Sequence, residues 1–304
     1  MLTIILTTRH QDSISITKEY TMKLFLLIII LSFHCVGSFS QMYSGHVINF
    51  ESGQPVPYTN IGIIGKNIGT VSDASGWFNI ELNAEFDKDT LCISCIGYDS
   101  KKYLIRDFKE DIRNIDQLKI QLLPKTYQLN EVLIKPIKTK IYMLGNFCEP
   151  DSPYGNAFYS DQLGTELGVL IKLPPKKNKA YLKNFRFYVG RFTFDKFTVK
   201  LNIYDLKNGL PNENILREPI FIELASANEY IIDLKKYNII INGDFFISLE
   251  YFKICDGKEG ELVFCAVHNK KINNNGFYRL TSQGNWIPEF SDNSGFSVEV
   301  ECQK

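Results

Sequence analysis

The sequence predicts an all-β protein made of two consecutive β-sandwiches. Short runs that alternate polar and apolar residues recur along the chain, and turns rich in glycine, proline and asparagine separate them. The 22 phenylalanines and 16 tyrosines favour strands, because aromatic side chains pack well on pleated sheets. In the predicted first domain, residues 43–124, no convincing helical periodicity interrupts the strands.

The composition is that of a folded protein without a polyanionic partner. The 304 residues are 44% hydrophobic and 22% charged, which is typical of soluble globular domains. The 34 lysines and arginines balance the 34 aspartates and glutamates, so the formal net charge is zero. Since nucleic-acid binding normally requires a basic surface, no nucleic-acid partner is expected.

Residues 22–40 have the pattern of a signal peptide. Lys23 gives a positive start, the next ten residues are almost entirely apolar, and Ser38 and Ser40 place small residues before a cleavage site. The apolar run is short for a membrane span. The alternative is an uncleaved anchor helix, and membrane association is expected only through such a segment or through a partner. Residues 1–21 are predicted to be an over-extended start that is disordered.

Export would place the folded part in the periplasm, at the outer-membrane surface or outside the cell. Such a compartment permits disulfides. The sequence does not define which cysteines pair. The cysteines after the predicted signal peptide are Cys92, Cys95, Cys148, Cys255, Cys265 and Cys302.

The predicted first domain reads as about seven short strands. A tight turn is expected from Asp73 to Gly76, because Asp can hydrogen-bond its own backbone and Gly tolerates a positive φ. Strands at this spacing indicate a β-sandwich. The runs that carry the strand pattern are SGHVINF, TNIGIIG, FNIEL, LCISCIGY and LKIQLLP.

The order of these residues resembles the carboxypeptidase-regulatory-like domain. That domain is a transthyretin-like β-sandwich, common in envelope proteins of certain Gram-negative bacteria. The resemblance runs from Gly45 to Ile134 and ends in an LxEVxI segment within the predicted linker, residues 125–140. The turn and strand motif that carries it includes Gly69, Thr70, Asp73, Gly76, Phe78, Gly97 and Tyr98.

The resemblance implies an accessory domain rather than a catalytic one. In many relatives the LxEVxI segment leads into the plug and barrel of a TonB-dependent outer-membrane transporter, but the residues that follow it here are too few for a large barrel. A zinc carboxypeptidase needs two histidines and a glutamate at the metal. After residue 40 the chain has only His46 and His268, neither in an HxxE or HExxH pattern. No catalytic residue, metal or cofactor is expected.

Residues 141–304 are predicted to form the second sandwich, of jelly-roll type. About ten strand-like runs follow one another, and Asn242-Gly243 is the strongest hairpin signal among their turns. Within this domain, Tyr278 and Trp286 flank a glycine-containing turn. Exposed rings of these types stack on sugars and anchor interfaces, so the two residues are candidates for ligand binding, with core packing or structural capping as the alternative.

The CxxC spacing of Cys92 and Cys95 is predicted to be structural. On a strand, residues three apart point to opposite faces, so these two thiols cannot hold one metal or close a redox disulfide. We expect Cys95 to face the core with Leu91 and Ile93, and Cys92 to face outwards.

The predicted function is that of an exported, non-enzymatic cell-envelope protein with a binding or assembly role. The expected partner is an envelope protein or a glycan. Two alternatives stay open. One is a carbohydrate-binding module protein or an accessory to TonB-dependent nutrient uptake, and the other is a hydrolase whose site the sequence does not reveal.

Overall fold

The computed structural model describes residues 41–113, 118–126, 138–159, 163–253, 260–268, 275–289 and 291–303. Both the predicted signal peptide and the predicted disordered start lie outside the described residues, as does most of the predicted linker with its LxEVxI segment. Gln41–Leu82 and Phe86–Lys304 belong to one compact unit. Asn83–Glu85 lies outside this unit, and its Asn83 amide donates to the Glu85 carboxylate at 3.4 Å.

The first domain is a sandwich of two small sheets. One sheet has the strand order β4-β1-β7 and the other has the order β3-β2-β5-β6. β1 runs antiparallel to β4 and parallel to β7. The elements are β1 (Gln41–Asn49), β2 (Asn60–Ile63), β3 (Gly69–Val71), β4 (Trp77–Leu82), a 3-10 turn (Ala84–Phe86), β5 (Thr90–Ser94), β6 (Lys101–Leu104), α1 (Ile105–Arg113) and β7 (Leu118–Leu122).

Strict alternation along the strands builds the core of this domain. In β4, Phe78, Ile80 and Leu82 are buried, whereas the residues between them are exposed. Successive side chains on a strand point to opposite faces, so every second residue of β4 enters the core. The core is completed by residues of β1, β2, β5 and β7.

The expectation that the first domain lacks helices is wrong for α1. Ile105 and Phe108 lie three residues apart on this helix, and both are buried against the core between the sheets. Such spacing puts two apolar side chains on one helical face. A nine-residue helix with two such anchors gives too weak a periodic signal to stand out from neighbouring strands.

The second domain is a larger sandwich, which confirms the all-β class. Its two sheets have the orders β13-β12-β17-β10-β19-β20 and β21-β18-β11-β22-β8, with further strands paired to them. The elements are β8 (Thr139–Gly145), β9 (Gly155–Tyr159), β10 (Glu166–Ile171), β11 (Lys179–Phe192), β12 (Phe197–Lys207), β13 (Leu210–Asn214), β14 (Ile220–Leu224), β15 (Glu229–Asp233), a 3-10 turn (Lys235–Tyr237), β16 (Ile240–Asn242), β17 (Phe245–Tyr251), β18 (Glu261–His268), β19 (Gly276–Arg279), β20 (Ile287–Pro288), β21 (Asp292–Ser294) and β22 (Ser297–Gln303).

The turn predicted at Asn242-Gly243 is present, but it does not form a hairpin. Gly243 has φ +97°, a conformation that glycine adopts at little cost. The strands on either side lie in different sheets, because β16 pairs with β11 and β17 pairs with β10 and β12. The chain therefore crosses from one sheet to the other at this glycine.

A disulfide between Cys148 and Cys265 ties the segment after β8 to the middle of β18. The two cysteines are 117 residues apart in sequence. Cys92, Cys95 and Cys302 are free. A cross-link that closes a long loop reduces the conformational freedom of the unfolded chain.

Removing this disulfide should lower the stability of the protein. We expect Cys148→Ser/Cys265→Ser to reduce the free energy of unfolding by about 2–5 kcal/mol, measured by denaturant titration. A reducing agent should destabilise the wild type by a similar amount and leave the variant unchanged. A wild type that is insensitive to reductant would contradict the assignment.

Candidate functional site

The predicted turn from Asp73 to Gly76 is held by one carboxylate. Asp73 Oδ1 accepts hydrogen bonds from the backbone N–H groups of Ser75 and Trp77, at 2.8 and 3.0 Å, and from the Ser75 hydroxyl at 2.7 Å. Burial raises the pKa of Asp73, but these hydrogen bonds outweigh it and the pKa is lowered. At Gly76, with φ +80°, a Cβ would lie 2.5 Å from the Val47 carbonyl oxygen, so no other residue fits.

The remaining motif residues occupy structural positions. Phe78 is a core residue, and Tyr98 packs against the same core while its hydroxyl accepts a hydrogen bond from the Asn49 amide at 3.2 Å. Thr70 pairs with Ile61 across β2 and β3. Gly69 begins β3, and Gly97 lies in the turn after β5. The motif therefore builds the framework of the first domain.

Tyr278 and Trp286 both pack within the protein. Tyr278 lies on β19 and is partly buried against the core of the second domain. Trp286 is half-buried, with the Arg279 guanidinium 4.5 Å from its ring centre and the Phe246 ring at 4.7 Å. Ligand binding by these two residues stays a prediction, and their packing matches the structural alternative.

A buried charged network on one face of the β12-β17-β10-β19 sheet was not foreseen from the sequence. Glu166 is fully buried at its centre. Its carboxylate accepts hydrogen bonds from Arg279 Nε at 2.8 Å, Asn202 Nδ2 at 2.9 Å and the Ser248 hydroxyl at 2.5 Å. The Tyr204 hydroxyl donates to the same carboxylate at 3.3 Å.

A second ion pair extends the network. Lys200 Nζ lies 2.9 Å from Glu250 Oε2, and the Asn202 amide donates to the same oxygen at 2.6 Å. Strand pairing explains the grouping, because Glu250 is the register partner of both Glu166 and Lys200. Two carboxylates thus face two cations, Lys200 and Arg279, and the network carries no net charge.

The network changes the acidity of its members. Burial works against the charge of Arg279, but Glu166 and the other anionic neighbours raise its pKa above the ordinary value. Burial also raises the pKa of Tyr204 well above its usual range. Both groups therefore keep their protons at physiological pH, Arg279 as a cation and Tyr204 as a neutral phenol.

The first domain lies against this charged face. Lys200 Nζ donates to Asn60 Oδ1 of β2 at 3.3 Å. Gln283 Nε2 donates to the Ser94 hydroxyl at 3.0 Å, and the Gly65 N–H donates to the Gln283 carbonyl oxygen at 2.9 Å. The polar residues of the second domain are buried because the other domain contributes to their cover.

An aromatic cluster fills another part of the interface between the two domains. Tyr58 of the first domain packs edge-on against Phe252 at 4.8 Å and Phe221 at 5.5 Å, both from the second domain. Its backbone has φ +55°, which is costly for a bulky side chain. The edge-on contacts with the two phenylalanines hold the Tyr58 ring against the second domain in this conformation.

The segment that carries the CxxC pair leads to the same interface. Leu91 and Ile93 are core residues and Cys95 packs against them, as expected. Cys92 is 5% exposed, so its expected outward orientation does not bring it to solvent. Its face of the strand also carries Ser94 and leads to Ile96, which packs against the core of the second domain. Neither thiol forms a disulfide.

A histidine–carboxylate pair lies at the end of β18. His268 Nδ1 is 2.8 Å from Asp292 Oδ1, and the Tyr154 ring stacks on the imidazole at 4.9 Å. Nearby, Glu289 accepts a hydrogen bond from the Asn156 amide at 3.0 Å. Burial, aided by the charge of Asp292, raises the pKa of Glu289 to about 8, so its carboxyl group is largely protonated at neutral pH.

The described ranges contain no grouping of three or more His, Cys, Asp or Glu side chains that could hold a metal ion. None of the helices within the same ranges is long and apolar enough to cross a membrane.

Residues 43–134 match the family model described as the CarboxypepD_reg-like domain. The chain carries a CarboxypepD_reg-like domain. The strands β1 to β7 fall within or at the edge of this match, and the turn at Asp73 and the β5 strand belong to it. Carboxypeptidase-regulatory-like domains are regulatory rather than catalytic.

Comparison with other known proteins adds little to this assignment. No curated protein matches the chain. Two solved structures of infectious bursal disease virus, from the Gx and Gt strains, can be aligned with 86% of this chain. Their sequence identity to it is 9% in each case, and the TM-scores are 0.21 and 0.19. The chain covers 64% and 63% of those two chains. A VP2 subviral particle of the same virus is 7% identical, with a TM-score of 0.19, and scores this low support no conclusion.

Breaking the buried pair from one side should be costly. Lys200→Met leaves the Glu250 carboxylate buried without its cation, and we expect it to lower the free energy of unfolding by about 3–5 kcal/mol. Lys200→Met/Glu250→Gln should recover part of that loss, because no unpaired charge remains.

The matched control is the exposed pair Lys196–Glu223, whose side chains are 61% and 58% exposed. Lys196→Met should cost less than about 1 kcal/mol. Equal effects of Lys200→Met and Lys196→Met in denaturant titrations would contradict the buried network.

The raised pKa of Glu289 should appear in the pH dependence of stability. The folded state holds this proton up to about pH 8, whereas the unfolded chain releases it near the ordinary value of 4.5. The contribution of Glu289 is thus fully present below that value and is lost as the pH rises towards 8.

Glu289→Gln should remove this component, so the stability difference between variant and wild type should shift in favour of the variant from pH 5 to pH 8. Thermal unfolding at a series of pH values measures it. Parallel pH profiles for the two proteins would show that Glu289 titrates normally.

Proposed function

We propose that the chain is an exported cell-envelope protein with a binding or assembly role rather than an enzyme. The observation that carries this proposal is the Cys148–Cys265 disulfide. Disulfides persist in oxidising compartments and are rare in the cytosol. The signal-peptide pattern of residues 22–40 points to the same compartment.

The non-catalytic part of the proposal is supported by the nature of the matched domain and by the use of the buried charges. The CarboxypepD_reg-like domain is of a regulatory type. In the second domain, Glu166, Arg279, Lys200 and Glu250 are engaged with one another in a charge-balanced network. These paired charges stabilise a fixed arrangement of the two domains. A fixed arrangement suits a protein that presents a binding surface to a partner.

Fractionation of cells that make the protein tests the export. The expected result is recovery from the envelope or the medium, with an intact mass that corresponds to a chain beginning at Gln41. Alkylation without reductant should leave Cys148 and Cys265 unmodified. Recovery in the cytosol with residues 22–40 retained and both thiols alkylated would overturn the proposal.

A further inference from the structure

The outer face of the β4-β1-β7 sheet is a surface that the described part of the chain leaves largely open. The opposite face of this sheet forms the core of the first domain, so alternate residues of the three strands point away from it. The exposed or half-exposed residues on the outer face are Met42, Ser44, His46, Ile48, Trp77, Asn79, Glu81, Lys119 and Gln121.

Trp77 is the largest side chain on this face and is 37% exposed. Its indole stacks on the His46 imidazole, with 5.0 Å between ring centres and 7° between ring planes. β4 is an edge strand of the sheet and His46 lies on the central strand β1. The imidazole therefore covers one face of the indole, and the part of the Trp77 side chain that stays exposed is the surface on which another ring can pack.

The orientation of the pair is fixed before any ligand arrives. His46 Nε2 donates a hydrogen bond to the Ser75 carbonyl oxygen at 2.6 Å. Ser75 belongs to the turn that Asp73 holds with three hydrogen bonds, one of them to the Trp77 N–H. Side chains that are already ordered lose little conformational entropy on binding.

Polar groups surround the aromatic pair. The Ser44 hydroxyl donates to Asn79 Oδ1 at 2.6 Å, which leaves the Asn79 amide N–H groups without a partner among the described residues. Glu81 follows on the same face of β4, and Lys119 of β7 is the register partner of His46. Alternate residues on a strand are about 7 Å apart. A ring placed on Trp77 thus brings its substituents, or those of the next ring, within reach of Asn79 and Glu81.

We propose that this face binds a glycan, with a sugar ring stacked on Trp77 and hydroxyl groups hydrogen-bonded to Asn79 and Glu81. A preformed aromatic platform beside a few polar groups suits a ligand with an apolar ring face and a polar edge. The opposite charges of Glu81 and Lys119 favour a ligand without strong net charge. The inference rests on the proposed binding role and names its ligand class.

The test is a titration of the full chain with cellohexaose, maltohexaose and chitohexaose. Saturation-transfer NMR and tryptophan fluorescence report the binding. At least one oligosaccharide should bind saturably, and Trp77→Ala should raise its Kd about tenfold or more. Asn79→Ala should raise the Kd by a smaller factor. Phe50→Ala is the matched control, because Phe50 is an exposed aromatic residue of the same domain, and it should bind as the wild type does.

Both variants should still unfold cooperatively on heating, because Trp77 and Phe50 lie outside the core, and Trp77→Ala should lose only the stability of its stacking on His46. No binding of any of these oligosaccharides, or binding that survives Trp77→Ala, would overturn the inference. So would a self-association that Trp77→Ala abolishes, because the face would then join two copies of this chain. The proposed function is tested separately: a protein that is exported and oxidised but binds no sugar loses the glycan site and keeps its proposed role.

Discussion

The structure depends on charges that are removed from water between its two domains. Glu166, Glu250, Lys200 and Arg279 lie on one face of a sheet, and each is almost completely buried. A carboxylate or ammonium group without a partner would be expensive in such a place. Cross-strand register brings each anion to a cation, so the desolvation cost is offset by short ion pairs and hydrogen bonds.

The same network links the domains to one another. Lys200 contacts both Glu250 in its own sheet and Asn60 in the first domain, so the ion pair cannot be considered apart from the interface. Tyr58 extends the interface with an aromatic contact that requires a strained backbone. Hydrogen bonds from the segment around Gln283 add a third set of contacts. The CarboxypepD_reg-like domain is thereby held as part of one body with the second sandwich.

Much of the fold was predictable because it follows local rules. Alternation revealed the strands, and the turn at Asp73 followed from the known preferences of Asp and Gly. Helix α1 was missed because, among its described side chains, two apolar residues three apart join the core, which is a weak periodic signal. The network was missed for a different reason. Glu166, Lys200 and Glu250 occupy the polar positions of alternating strands, a pattern that normally indicates a solvated face. Their burial depends on a contact between domains, which no local pattern encodes.

The candidate ligand-binding residues also show that local sequence patterns do not predict contacts between distant segments. The sequence made Trp286 a candidate for ligand binding, with core packing or structural capping as the alternative. The structure buries Trp286 partly against Arg279 and leaves Trp77 37% exposed. Both tryptophans lie near glycine-containing turns, and only the packing of neighbouring strands distinguishes them. The stacking of Trp77 on His46 could have been suspected from the pairing of two adjacent strands, but the register was not known.

The Cys148–Cys265 disulfide has a consequence for the order of events during synthesis. A ribosome makes the chain from its N-terminus, so the first domain is complete well before Cys265 appears, and domains generally fold as units as they emerge. Until the second sandwich forms, the first domain exposes Tyr58 and Ile96, which pack against the second domain in the finished structure. The disulfide ends this period, because it stabilises the second sandwich, which covers these residues. During this interval the first domain is therefore folded while its contact surface for the second domain is still exposed.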